Sequence, residues 1–273
     1  TSFAEEDTSV ISRSSVLYDQ EIQLLKSTYM GFRTRLNLGH NLHRLEDFKA
    51  VNAKEPVRSD INDFASQTLG IDRLYASMIA TPYTDLHIGV AAGYLEEVYG
   101  GIAGEILYRP FGKTYAFGLS LADVSRRDPH TAQNLGFKNR SVTTGHINIF
   151  HEIPNTDMNL SLKLGRYLAG DWGGTIGLTN TFKNGVGIRA FLTATDENDR
   201  DVFGGENNLY GGVQLSLPLG SPSFIPDGTK LQTNFQPIGR NKGQALNSPI
   251  DLYKRSTPLS YRHIQGNWSD VLR

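Results

Sequence analysis

Apolar and non-apolar positions alternate along most of the chain. In Tyr115–Ala122, Tyr115, Phe117, Leu119 and Leu121 share one face, while Ala116, Gly118, Ser120 and Ala122 share the other. A strict period of two is that of a strand with one apolar and one non-apolar side. Met158, Leu160, Leu162 and Leu164 oppose Asn159, Ser161, Lys163 and Gly165 in the same way, and Met30, Phe32, Leu36 and Leu38 oppose Gly31, Arg33, Arg35 and Asn37. Twelve such segments begin near residues 27, 71, 84, 101, 114, 140, 156, 172, 185, 206, 228 and 257. They average about ten residues, the length a tilted strand needs to cross a bilayer. No helical period competes over a comparable length; 16–26 and 57–68 are the places where a short helix fits.

The connections carry a second pattern. Those around Pro82-Tyr83-Thr84, Phe111-Gly112-Lys113, Ile153–Thr156 and Lys183–Gly185 are tight, with a longer member at Ser221–Gly228. Asn184-Gly185 has the composition of a type I′ hairpin turn, in which both central residues take positive φ. The alternate set contains the long connections, 39–70, 126–139, 196–206 and 239–256, and two short ones at 97–100 and 168–171. Short and long connections on opposite rims describe an up-and-down antiparallel sheet, and outer-membrane barrels pair short periplasmic turns with longer outer loops. Twelve strands counted from residue 27 return both ends to the short-turn rim.

A soluble β-sandwich or lipocalin-like barrel also alternates. Two features favour a membrane barrel. One set of faces carries Leu, Ile, Met and Phe; the opposite set carries Arg33, Arg35, Glu105, Arg109, Lys163 and Arg189. Charge inside a small soluble barrel is costly, whereas in a polar lumen it is ordinary. The predicted organisation is an N-terminal extension over 1–26, an all-β, antiparallel up-and-down transmembrane barrel over 27–268 and a tail over 269–273, with short helical segments in the N-terminal part.

Composition is consistent with that picture. The chain has 273 residues, 38% hydrophobic, with 28 glycines, no cysteine and a net charge of −1. A polar average is expected when only one face of each strand meets an apolar medium. Balanced charge supplies no field for nucleic acid, which is not an expected partner. The absence of cysteine removes disulfides, thiolate metal sites and thiol nucleophiles. The longest nearly apolar run, Ile88–Leu95, is far short of a membrane helix. The chain begins at Thr1 without a visible signal peptide, as expected of one processed or cut from something longer.

The stretch Gly93-Tyr-Leu-Glu-Glu-Val-Tyr-Gly-Gly-Ile-Ala-Gly-Glu-Ile-Leu-Tyr-Arg-Pro-Phe111 resembles the YjbH-type exopolysaccharide biosynthesis proteins. So do Ser141-Val-Thr-Thr-Gly-His146 and Gly165-Arg-Tyr-Leu-Ala-Gly-Asp-Trp-Gly173, with fainter echoes at Val57–Asp60 and Pro237–Arg240. The resemblance implies an outer-membrane, barrel-forming protein or lipoprotein that serves exopolysaccharide or capsule production. Members are typically longer, and this chain resembles their C-terminal portion. One departure stands out: Trp268 is followed by five further residues, where outer-membrane barrels usually end on an aromatic.

The candidate lumen or glycan-binding residues are Arg33, Arg35, Glu97, Glu105, Arg109, Arg126, Lys163 and Arg189; Glu96, Arg127, Arg166, Asp171 and Trp172 are expected at the long-loop rim. Glu96 and Glu97 have the types of a glycosidase acid/base pair, but strand neighbours point to opposite faces, so a salt-bridged lumen in which Glu97 and Glu105 meet Arg109 or its neighbours is the preferred reading. Arg166 has lipid-facing parity and is expected beyond the membrane boundary, paired with Asp171. Trp172 suits sugar stacking, although an interfacial Trp is commoner. The acidic run Asp196–Asp201 lacks the glycine and distal Glu of an EF-hand. No metal-ligand spacing, nucleophile elbow, phosphate loop or dinucleotide fingerprint occurs, so no cofactor or metal is expected. The expected role is non-enzymatic: a barrel in the bacterial outer membrane that assists exopolysaccharide secretion or surface assembly, in contact with the polymer, outer-membrane lipid and lipopolysaccharide, and with export subunits or the rest of a longer precursor. The alternatives are a non-conducting scaffold that docks export partners and a polymer-modifying enzyme.

Overall fold

The computed structural model describes residues 2–3, 10–44, 56–132, 135–182, 184–200, 205–220 and 228–266. A two-residue ribbon, β1 (Ser2–Phe3) with β2 (Val10–Ile11), precedes one twelve-stranded antiparallel sheet. Its strands run in chain order: β3 (Arg13–Leu25), β4 (Thr28–His40), β5 (Leu69–Tyr83), β6 (Leu86–Tyr94), β7 (Tyr99–Tyr108), β8 (Tyr115–Asp128), β9 (Gly136–Glu152), β10 (Met158–Arg166), β11 (Trp172–Thr181), β12 (Gly187–Arg200), β13 (Glu206–Pro218) and β14 (Lys230–Phe235). Among the described residues the end strands β3 and β14 are not paired with each other, so the sheet is not closed into the barrel expected from the alternation. The described residues also hold three short helices, α1 (Ile61–Ala65), α2 (Leu252–Ser256) and α3 (Tyr261–Gly266), and 3₁₀ turns at 42–44 and Thr257–Leu259.

Eleven of the expected strands are present, and the differences lie at the two ends. Residues 16–26, where a helix fits by composition, belong to β3 except for Lys26, which is in the turn to β4; Val16, Tyr18, Ile22 and Leu24 alternate there too weakly among polar neighbours to be read as a strand. The strand expected from residue 257 is instead the 3₁₀ turn and α3, led by Pro258, which fixes a helical φ at the turn's start. With one strand gained in front and one lost behind, β3 begins and β14 ends on the rim of the longer connections, the reverse of the expected placement. Trp268 lies outside the described residues.

Two of the long connections are shorter than expected because strands run on through them: β8 and β9 leave only 129–135, and β12 and β13 leave 201–205. At Asn184-Gly185 the glycine has positive φ, +82°. Phe182 N–H donates to Val186 O, and Gly185 N–H donates back to Phe182 O, the arrangement of a three-residue loop closed by a glycine bulge rather than type I′.

Burial follows the alternation with inverted polarity. On β8, Tyr115, Phe117, Leu119 and Leu121 are exposed, while Ala116, Gly118 and Ala122 are buried. Ile88 and Val90 on β6, Ile102 and Ile106 on β7 and Ile147 on β9 are exposed in the same compact unit as β8; in the other, Ile176 and Leu178 on β11 and Leu192 on β12 are exposed. The buried set instead includes Ser77, Arg126, Thr144, His146, Asn148, Thr193 and Thr195. The chain divides into two compact units, 1–16, 36–68 and 152–245 (the first), and 17–35, 69–151 and 246–273 (the second). A small apolar cluster in the first, Ile11, Leu42 and Ala65 with Ile61 and Ile238, gathers the β4–β5 connection around α1.

A polar inner face occupied by the segment after β14

The residues after β14 do not form another outer loop. Residues 237–251 break the alternation and carry Pro237, Gly239, Gly243 and Pro249, which disfavour a strand. In each unit, part of this stretch lies on the polar face of the sheet and is held there by strand side chains.

In the second unit the inner face is set by register. Glu105, Ser120 and His146 form one cross-strand row, Leu107, Gly118 and Asn148 the next, and Ala116 with Phe150 the one after. Asn148 Nδ2 donates to Ser120 Oγ at 3.1 Å. Against these rows lies Asn247–Thr257. Asn247 N–H donates to Glu96 Oε2 at 2.8 Å, and Arg73 Nη2 donates to Asn247 Oδ1 at 2.9 Å. Leu252 N–H donates to Glu105 Oε2 at 3.2 Å, and Ile250 and Leu252 are buried over Gly89, where any side chain would meet them. Asp251 caps α2 by accepting from Lys254 N–H at 2.9 Å, which satisfies an orphan donor of the first turn. Tyr253 stacks on Phe150 with centroids 3.9 Å apart, and the Arg109 guanidinium lies 4.3 Å from the Tyr253 ring centroid. Arg109 Nη1 also donates to Tyr253 O at 3.0 Å, Ser256 Oγ at 3.0 Å and Thr257 Oγ1 at 3.3 Å.

The charged residues of this unit do meet in pairs, with partners other than those expected. Glu97 lies 3.6 Å from Arg35, whose Nη2 also reaches Asp72 Oδ2 at 2.5 Å, and Arg33 pairs with Asp19. Glu96 and Glu97 sit in the β6–β7 turn on the rim of the longer connections, where strand parity does not apply, and Glu96 is buried there. So is Arg127. A register shift between Ser125 and Arg127 turns both Arg126 and Arg127 inward, and Arg127 is 0% exposed. Its guanidinium donates to Ile71 O at 2.7 Å, Glu96 O at 2.8 Å and Asp72 O at 3.0 Å, binding the start of β5 to the β6–β7 turn.

The first unit repeats the device with different residues. Asn241 Oδ1 accepts from the backbone N–H groups of Val57 (2.7 Å), Arg58 (3.0 Å) and Ser59 (3.2 Å), which fastens the β4–β5 connection. Asp199 Oδ2 accepts from Asn241 N–H at 2.6 Å and Lys242 N–H at 2.9 Å, Arg240 bonds Asn207 O at 3.0 Å, and Lys242 pairs with Glu197. Gly243 has φ +71° and hands its carbonyl to Tyr210 OH at 2.8 Å. Asp171, expected to pair with Arg166, instead accepts from Gly243 N–H at 2.7 Å. Burial raises the Asp171 carboxyl above its ordinary pKa, with the Gly243 hydrogen bond opposing that rise, and burial lifts the Tyr167 phenol to about 12. Arg166 bonds the Gly170 carbonyl at 3.3 Å and stands exposed directly across from exposed Trp172. Lys163 and Arg189 are on the inner parity, Lys163 half-buried and Arg189 exposed.

The pattern in Asp72, Arg73, Phe150, Asp199, Arg240, Asn241, Gly243 and Tyr253 is absent from the sequence-based selection. A usable signal is the length of the aperiodic stretch after β14, since structureless segments beyond ~12–15 residues are usually functional.

The comparisons with known proteins agree with the arrangement of motifs. The YjbH family model, described as exopolysaccharide biosynthesis protein YbjH, matches residues 1–257. A relative from Escherichia coli (strain K12), named as the uncharacterized lipoprotein YjbH, is 30% identical over 207 residues, covering 75% of this chain and 29% of the relative. The chain thus spans under a third of that relative's length. No solved structure matches it. With the family model matching almost its entire length, the chain belongs to the YjbH family of exopolysaccharide biosynthesis proteins.

Proposed function

We propose that the chain is a transmembrane β-barrel domain of the bacterial outer membrane whose polar inner face guides an exopolysaccharide during secretion or surface assembly, without chemical modification of the polymer. The observation that carries this reading is the inverted burial: an exposed Leu/Ile/Phe/Met face backed by buried Arg, Glu, Ser, Thr, His and Asn. In water a contiguous apolar exterior of that extent is an aggregation liability; in a bilayer it is the required surface. From Tyr115 to Leu121 the apolar row on β8 runs about 20 Å at ~3.3 Å per residue, on the short side of the ~25 Å band of outer-membrane barrels. Tyr83, Tyr108 and Tyr115 are exposed at its short-turn end, where interfacial aromatics belong. At its other end the outward positions of β8 and β9 become polar, with Thr143 Oγ1 bonded to Asp123 Oδ1 at 3.1 Å.

A mixed-charge surface offers many weak, replaceable contacts to a glycan. Both Glu96 and Glu97 are already committed, one to a backbone N–H and one to Arg35, which supports the non-enzymatic reading. The polymer, outer-membrane lipid and lipopolysaccharide are the contacts this reading requires, and the longer protein or export subunits supply the remaining machinery. A non-conducting scaffold is the second reading, favoured by the segment that covers part of the inner face.

Lys163 and Arg189 lie on inner strand positions of the first unit, on β10 and β12. The double variant Lys163→Glu/Arg189→Glu is expected to lower secretion of an acidic exopolysaccharide at least fivefold with an unchanged amount of folded protein in the outer membrane. Polymer in the culture medium, measured against protein level, is the readout. Unchanged secretion contradicts guidance by the inner face and favours the scaffold.

A further inference from the structure

The inner face of the second unit offers more than a bed for its own chain. Phe150 presents an aromatic face, and Arg109 lies against the same Tyr253 ring; Asn148 is in the next inward row, and Glu105 and Ser120 are in the row beyond it. An aromatic platform with a cation and an amide beside it and a carboxylate farther along the strands is the composition that binds a short run of pyranoses, since the ring stacks on one sugar's C–H face and the polar groups bond the hydroxyls along the run. Gly89, Ala91, Ala103, Ala116 and Gly118 are the neighbouring inward positions, and their small size leaves the room that the present occupant fills.

That occupant offers what a sugar would. Against Phe150 it places a flat six-membered ring, Tyr253; to Arg109 it offers two hydroxyls, Ser256 Oγ and Thr257 Oγ1; to Glu105 it offers one N–H donor. The strand side chains bind mainly backbone and hydroxyl groups of the segment, which a polymer rich in hydroxyls can replace one for one. Resting on the polymer-guiding function proposed above, we propose that Phe150, Arg109, Glu105 and Asn148 form a saccharide-binding site and that Asn247–Thr257 is its intramolecular occupant, displaced when the exopolysaccharide binds. The apparent affinity for polymer is then the intrinsic affinity reduced by the fraction of molecules with the segment withdrawn.

The geometry supplies a lock. A Cβ built on Gly89 comes within 2.9 Å of Ile250 Cγ2, close enough for a Gly89→Cys/Ile250→Cys disulfide. No native cysteine competes for it. The test uses the full protein in detergent and exopolysaccharide purified from the medium of the producing cells, immobilised for binding. The oxidised double variant is expected to bind at least tenfold more weakly than the same protein after reduction, with each single variant insensitive to reductant. Tyr253→Ala, which loosens the occupant, is expected to raise binding several-fold, while Phe150→Ala lowers it. A purely structural segment would move both variants in the same direction. Equal binding of the locked and reduced forms overturns the displaceable occupant. If binding is equal but the Lys163→Glu/Arg189→Glu variant still impairs secretion, the guiding function stands without this site; if neither responds, both fall.

Discussion

Arg127→Met is expected to abolish the folded form of the protein. The side chain is wholly buried and binds the carbonyls of Ile71, Asp72 and Glu96, two of them in the initial stretch of β5 that extends beyond its ladder with β6, whose last pair is Leu74 with Tyr94. Methionine fills much of the volume but donates no hydrogen bond, so three carbonyls, two of them in buried bonds, lose this donor together. Each such loss costs about 1–3 kcal/mol, and removing one member of a buried charged network costs about 3–5 kcal/mol overall. That approaches the whole stability of an ordinary domain, about 5–15 kcal/mol. Arg127→Lys is expected to rescue only partly, because an ammonium cannot span three carbonyls from one fixed plane. The measurement is heat-modifiable gel migration of membranes expressing each variant: a folded band for the parent, none for Arg127→Met. A folded band of normal intensity for that variant contradicts the assigned role of the side chain.

Gly101→Ala is expected to be as damaging, for a steric reason. Gly101 has φ +151°, and a Cβ there would lie 2.3 Å from Asp123 O and 2.8 Å from Val124 Cα, both backbone atoms of β8. Neither can move without breaking the β7–β8 ladder. The cross-strand partner, Gly93, has φ +131° and the same conflict with the backbone of β5. Strained φ and overpacking together cost about 3 kcal/mol or more. Gly104→Ala is the control on the same strand, since its Cβ would meet nothing closer than Val90 Cγ2 at 3.5 Å. The midpoint of urea unfolding should fall sharply for Gly101→Ala and stay within error of the parent for Gly104→Ala. Equal midpoints would show that the close approach of β7 and β8 at Gly101 is not required.

The strands were legible because their signal is local. A row such as Tyr115, Phe117, Leu119 and Leu121 needs no knowledge of its neighbours, and its polarity already states which face meets an apolar medium. The short-turn rim was legible for the same reason, although the turn at Asn184-Gly185 depends on the φ of each residue rather than on the dipeptide's composition. The site was less legible. Parity marks Arg109, Glu105, Arg35 and Glu97 as inward charges, but their partners come from 37 to 148 residues away in sequence, and periodicity holds no information about such distances. The burial of Arg127 has no signature in the alternation, because a one-residue register shift reverses parity downstream of it. Asp171 and Arg166 were paired on proximity alone, whereas the buried carboxylate found an N–H donor in Gly243. The inward course of residues 237–257 has no periodic signature; only its length and its Pro, Gly and Asn content set it apart.

The central claim is that the exposed apolar face meets lipid. The absence of cysteine from the 273 residues makes it directly testable, because each introduced thiol is the only one in this chain. Single cysteines placed in turn along Tyr115–Ala122 of β8 and Trp172–Thr179 of β11, labelled with an environment-sensitive fluorophore and reconstituted into bilayers, should show a period of two. Positions 117, 119, 121, 176 and 178 should be quenched by nitroxides carried on lipid acyl chains, and positions 120, 122, 177 and 179 should not. Uniform quenching by an aqueous quencher on both faces, with no response to lipid nitroxides, would contradict the account.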